Sequence, residues 1–166
     1  MATRSMIGIE ENDGKITAIY CHWDGYPSSN GMCLHSHYSD KKKIRELMSF
    51  GDLSCLRKDI GEKTDMDNTD PNRPAIQNDW CEFYGRDRGD EGVESKSYSN
   101  RSKFMDAANG CWADWVYLFD AAQGEWLLQM HRHEDSEWRT VRRELESLGL
   151  IDPLDDLLYK AKKVDA

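Results

Sequence analysis

The chain has 166 residues, 31 of them acidic and 22 basic, which gives a net charge of −9 and a pI near 5.0. That length suits one domain by the usual yardstick of about 150 residues, long enough to bury a core without disulfide or metal staples. Six Trp, seven Tyr and four Phe exclude a disordered chain although the mean hydropathy is −0.81, and no apolar run nears the roughly 18 residues of a membrane helix.

The start, Met1 to Met6, has no apolar stretch of the signal-peptide kind, so a soluble protein of the cytoplasm is expected. Residues 1–60 carry 8 acids and 8 bases, residues 61–133 carry 14 and 8, and residues 134–166 carry 9 and 6. A surface of that sign disfavours duplex nucleic acid as a direct partner, because phosphate contacts need a basic face. The one basic cluster, Lys41, Lys42, Lys43 and Arg45, reads as a solvated helix face. Five cysteines in an odd, irregular set with no C-x-x-C point to free thiols in a reducing compartment.

The predicted elements begin with alternation over residues 5–10 and 15–22 around Asn12-Asp13-Gly14, an Asx-Gly signal for a β-hairpin. Trp23-Asp24-Gly25-Tyr26-Pro27 breaks the second strand. A short helix is expected over about 31–38. A second, capped by Ser39, carries Ile44, Leu47 and Met48 and ends at Gly51. Residues 52–60 read as a turn with Leu53 and Leu56 inward. Residues 61–78 read as a mobile surface loop, rich in Gly, Asp, Asn and Pro.

Residues 80–84 and 93–98 read as a second hairpin around a charged turn. Asn100 caps a helix over 101–108, anchored by Phe104 and Met105 and ended by Asn109-Gly110. Residues 113–119 and 126–130 make a third hairpin. Ser136 caps a helix with Trp138, Val141, Leu145 and Leu148 on one stripe, and Asp152-Pro153 opens a last helix with Leu154, Leu157 and Leu158. The expected fold class is therefore α+β: one domain over 1–166, an antiparallel sheet of three hairpins with helices packed on one face.

Three groups of residues carry possible chemistry. In the segment Tyr20 to Pro27, Trp23 and Tyr26 are candidate stacking walls, Asp24 an acceptor or base, and His22 a titratable partner. The plainer reading is a structural corner that plugs the sheet end. In Tyr84-Gly85-Arg86-Asp87-Arg88-Gly89, Arg86 and Arg88 flank Asp87 between glycines. Arg suits bidentate recognition of phosphate or carboxylate, and the alternative is a self-neutralised turn. The two loops are expected side by side, with Asp24 paired to Arg86.

The third group is Cys21, His22, Cys33, His35 and His37, with His131-x-His133 later. Its spacing does not follow the pairs that zinc sites prefer, so neither a metal nor another cofactor is assigned. No nucleophile elbow, catalytic Cys–His signature or phosphate-cradling glycine loop occurs, and no catalytic residue is assigned.

The segments Ala2-Thr3-Arg4-Ser5-Met6-Ile7-Gly8-Ile9 and Ile19-Tyr20-Cys21-His22-Trp23-Asp24-Gly25-Tyr26-Pro27 resemble a family of small proteins encoded by tailed phages and prophages. His37-Tyr38, Gly51-Asp52-Leu53-Ser54 and Tyr84 to Gly89 look similar too. The resemblance covers most of residues 2–92 and brings no activity to carry over. It implies a protein of the infected bacterial cytoplasm that binds and inhibits or sequesters a host factor, of a defence or nucleic-acid system. The alternative is binding or hydrolysis of a nucleotide or other small anion by His22, Trp23, Asp24, Tyr26, Arg86, Asp87 and Arg88.

Overall fold

The computed structural model describes residues 2–65, 70–72, 79–130 and 137–153. The first hairpin pairs β1 (Ser5–Glu10) with β2 (Ile16–Cys21). Its turn closes with Gly14 N–H donating to the Glu11 carbonyl at 2.9 Å. Gly14 has φ +86, a conformation that glycine adopts without the steric cost of a Cβ. A wide helical turn over Pro27–Gly31 leads into α1 (Met32–His37).

The next helix, α2 (Lys41–Ser49), is capped by Asp40, whose carboxylate accepts from Lys42 N, and not by Ser39. Its buried residues Ile44, Leu47 and Met48 keep the expected spacing. A short strand, β3 (Leu53–Cys55), stands where a turn was expected. β4 (Glu82–Phe83) and β5 (Lys96–Tyr98) are both short, and they do not pair with each other. β4 pairs with β3 and β5 with β2, so the expected second hairpin is not formed.

α3 (Arg101–Gly110) starts at the Asn100 cap. β6 (Trp115–Asp120) and β7 (Glu125–Met130) form the expected third hairpin. β8 (Arg139–Thr140) then pairs with β7 and leads into α4 (Val141–Ser147), capped by Thr140. Trp138 precedes this helix and Leu148 is half exposed, so the helical stripe reduces to Val141 and Leu145. Ser136 and the leucines of the expected last helix lie outside the described residues.

The sheet runs β4-β3-β2-β1-β6-β7-β8, with β5 added beside β2. It is mixed rather than antiparallel: β1 lies parallel to β6, and β2 to β3. The two regular hairpins are thus joined along β1 and β6, which puts the most apolar strands at the centre.

Helices cover both faces, not one. On the first face Ile7, Ile9, Ile19, Tyr117 and Phe119 pack with Leu34, Ile44, Leu47 and Leu145 of α1, α2 and α4. On the second, Met6, Ile16, Ala18, Val116 and Leu118 pack under Phe104 and Ala108 of α3. One sheet covered on both sides makes this a single α+β domain. Among the described residues no helix is long and apolar enough to cross a membrane.

Candidate functional site

The segment after β2 is a braced corner. His22 N–H and Trp23 N–H donate to the carbonyls of Leu53 and Ser54 at 3.0 and 3.1 Å, so the chain stays tied to β3 past the strand end. Asp24 then turns it with φ +58, a left-handed conformation that Asp tolerates better than most residues. Gly25 N–H donates to Thr3 O at 2.8 Å, and Gly25 O accepts from Tyr117 Oη at 2.7 Å. A Cβ on Gly25 would lie 2.8 Å from Thr3 O, so only glycine fits this approach.

Beneath the corner sits Asn30, which is buried. Its amide donates to Trp23 O at 3.1 Å, and its backbone N–H to Asp24 O. The aromatic side chains above remain in solvent: Trp23 is 42% and Tyr26 40% exposed. Tyr26 Oη donates to Asp24 Oδ1 at 3.3 Å, and the Asp24 charge raises the tyrosine's pKa.

His22 shares the second face of the sheet with Tyr20. Its Nδ1 lies 2.8 Å from Tyr20 Oη, and its ring meets Trp23 edge-on at 4.7 Å. The Arg4 charge lies near Tyr20 and opposes the rise in the tyrosine's pKa that burial causes. Burial, with the nearby Arg4 charge second, lowers the His22 pKa and favours the neutral imidazole.

The Arg86 turn is a different object. Its side chain is only 7% exposed. Nε donates to Asp87, Nη1 to the carbonyls of Ile60 and Gly61, and Nη2 to Cys81 O and Asp87. The guanidinium stacks over Phe83 at 4.6 Å and Phe50 at 5.1 Å. Asp87, fully buried, also accepts from Thr64 N and Phe83 N. The pair is a clamp that fastens Ile60, Gly61 and Thr64 to β4, at the start of the surface loop expected over 61–78, of which residues 66–69 and 73–78 lie outside the described residues.

Every Arg86 donor is thereby engaged, and the expected Asp24–Arg86 pair is not formed. The topology explains why. β4 runs antiparallel to β3, so the chain leaves β4 away from the corner that follows β2. Arg88 is half exposed, 3.9 Å from Asp90.

A cleft of about 790 Å³ opens on the second face, lined by Arg4, Met6, Ala18, Tyr20, Asp52, Lys96, Tyr98, Ala107, Gly110, Cys111 and Trp112. It exists because the sheet forks. β2 pairs with β5 through Ile16, Thr17 and Ala18, then with β3 at Cys21. Between them the Tyr20 N–H donates to the Asp52 carboxylate at 2.9 Å instead of to a neighbouring strand. Burial raises the Asp52 pKa, opposed by that hydrogen bond and by Lys96. Burial also raises the Cys111 pKa, which keeps the thiol protonated and a poor nucleophile near neutral pH.

No protein family, curated protein or solved structure matches this chain. The site therefore stands on its own geometry.

Trp112 forms the rim of the cleft and is 65% exposed, with φ +61. α3 ends at Gly110, as expected, and Trp112 completes its cap. Ala113 N–H donates to Ala108 O and Trp112 N–H to Asn109 O, a Schellman ending with Trp112 in the place that glycine normally takes. A left-handed conformation costs a non-glycine residue roughly 1–2 kcal/mol.

None of the residues singled out as site residues from sequence lines the cleft; His22 touches it only through its contact with Tyr20. Arg4, Tyr20, Asp52, Lys96, Tyr98 and Trp112 were missed, since residues so far apart in the chain share no local signal. Among the described residues no three His, Cys, Asp or Glu side chains converge to hold a metal ion. The five cysteines form no disulfide, and burial raises the Cys21 pKa to about 12. His131 and His133 lie outside the described residues.

Proposed function

We propose that this chain acts by binding a partner protein through the corner formed by His22, Trp23, Asp24 and Tyr26. The supporting observation is two exposed aromatic side chains on a backbone braced by Thr3, Asn30, Ser54 and Tyr117. Interfaces draw most of their energy from a few Trp, Tyr and Arg anchors. An anchor already held in place avoids about 0.5–1.5 kcal/mol of ordering per side chain. The competing small-anion reading of these loops loses Arg86, which is engaged by its own clamp, and keeps only the half-exposed Arg88.

The net charge of −9 favours a partner with a basic surface. Enzymes that handle nucleic acid carry such surfaces. In the setting implied by the phage resemblance, the partner is a bacterial host factor of that kind, which the chain inhibits or sequesters. The test is capture of a partner from infected cells, its identification, and calorimetry with the purified pair. Trp23→Ala is expected to weaken binding by about 2 kcal/mol or more, the size of an interface anchor. A partner that binds Trp23→Ala and Tyr26→Ala as tightly as the parent chain refutes the corner as the binding surface.

A further inference from the structure

The forked-sheet cleft is a second site, independent of the corner. Its volume of about 790 Å³ lies within the roughly 300–1,000 Å³ typical of small-molecule pockets. It gathers two cations, Arg4 and Lys96, in a chain of net charge −9. The charge of Arg4 lies near Tyr20 and that of Lys96 near Asp52, and among the described residues neither takes part in a salt bridge. Three flat rings, Tyr20, Tyr98 and Trp112, line the same space. Trp112 is held outward at the rim in a backbone conformation that favours glycine. Strain of this kind collects where a side chain has a task beyond the fold.

We propose that the cleft binds a nucleoside monophosphate: Arg4 and Lys96 take the phosphate, and the base stacks on Trp112 and Tyr98. Arg offers the planar fork that fits phosphate oxygens. Stacking on an aromatic ring is available to every base. Asp52 already accepts from Tyr20 N–H with one oxygen and retains acceptor capacity for a ring N–H of the ligand. It repels a second anion, so one phosphate bound by two cations fits the site better than a long polyphosphate.

The experiment is titration calorimetry of the full chain against AMP, GMP, CMP and UMP, with the parent nucleosides, inorganic phosphate and a single-stranded oligonucleotide as controls. At least one monophosphate is expected to bind with a Kd below about 100 μM, and its nucleoside and inorganic phosphate at least about tenfold more weakly. Arg4→Ala and Lys96→Met are each expected to weaken binding about tenfold or more, the loss of one charged hydrogen-bonding partner. Trp112→Gly relieves the left-handed strain but also removes the interactions of the ring, so its fold is checked by circular dichroism, and binding by the folded variant should fall at least about tenfold.

Trp23→Ala should leave nucleotide binding unchanged, which keeps this result separate from any outcome at the corner. No binding of any monophosphate at about 1 mM, unchanged binding by folded Trp112→Gly or Lys96→Met, or an oligonucleotide bound more tightly than every monophosphate overturns the proposal.

Discussion

Arg86→Ala should be among the most damaging single substitutions in this chain. The guanidinium is 7% exposed and its partner carboxylate fully buried. Removing it leaves the buried Asp87 carboxylate without its cation, held only by the Thr64 and Phe83 N–H donors, and breaking a buried pair in this way typically costs about 3–5 kcal/mol. The carbonyls of Ile60, Gly61 and Cys81 also lose a donor, each worth about 0.5–1.5 kcal/mol net. The stack on Phe83 and Phe50 adds about 1 kcal/mol. These contributions overlap and do not add, so about 4 kcal/mol is expected.

Against a typical domain stability of about 5–15 kcal/mol that loss is large. At about 2–4 °C per kcal/mol for a chain of this size, the melting temperature should fall by roughly 10 °C. Arg86→Lys keeps the charge but has only three donors and no planar fork, so it should recover little. The assay is urea unfolding followed by tryptophan fluorescence, with calorimetry beside it. A loss below about 1 kcal/mol for Arg86→Ala refutes the clamp, since that is the range of an exposed pair.

Two further outcomes are expected. Gly14→Val places a β-branched side chain at φ +86, and unfolding midpoints should show a loss of about 1 kcal/mol or more. An unchanged midpoint counts against the hairpin turn. His22, whose pKa is lowered by burial and then by Arg4, should titrate by NMR below the reference value of about 6.5. The unfolded chain takes up that proton first, so its contribution to stability falls as pH drops from about 6.5 toward the folded value. A midpoint at or above the reference would contradict the burial of His22 beside Arg4.

Much of the local structure follows from neighbours in the chain. Asn12-Asp13-Gly14 closes the β1–β2 hairpin, the apolar alternation on either side sets its register, Asn100 caps α3, and Ile44, Leu47 and Met48 face inward. The corner at Trp23 to Tyr26 also follows from local chemistry, because Asp-Gly and Pro stop a strand wherever they stand. The errors came where two choices were locally equivalent. Ser39 and Asp40 are both good caps, and backbone geometry selected Asp40. Asn109-Gly110 does end α3, but the left-handed cap residue is Trp112 rather than a glycine.

What the tertiary structure decided is mostly pairing at long range. Alternation shows that a segment is a strand but not which strand it meets. The parallel contact of β1 with β6 and the separate partners of β4 and β5 could not be read from it. The same holds for charge. Arg86 between glycines looks like an exposed ligand for anions, and only the fold of residues 60–64 over it made it a buried clamp. Arg4 and Lys96, 92 positions apart, came to line one cleft because the sheet forks at Tyr20. Composition and periodicity act within a few residues of a side chain. A site is built by chain segments that meet only after the core has formed, and so its residues carried no mark until the fold brought them together.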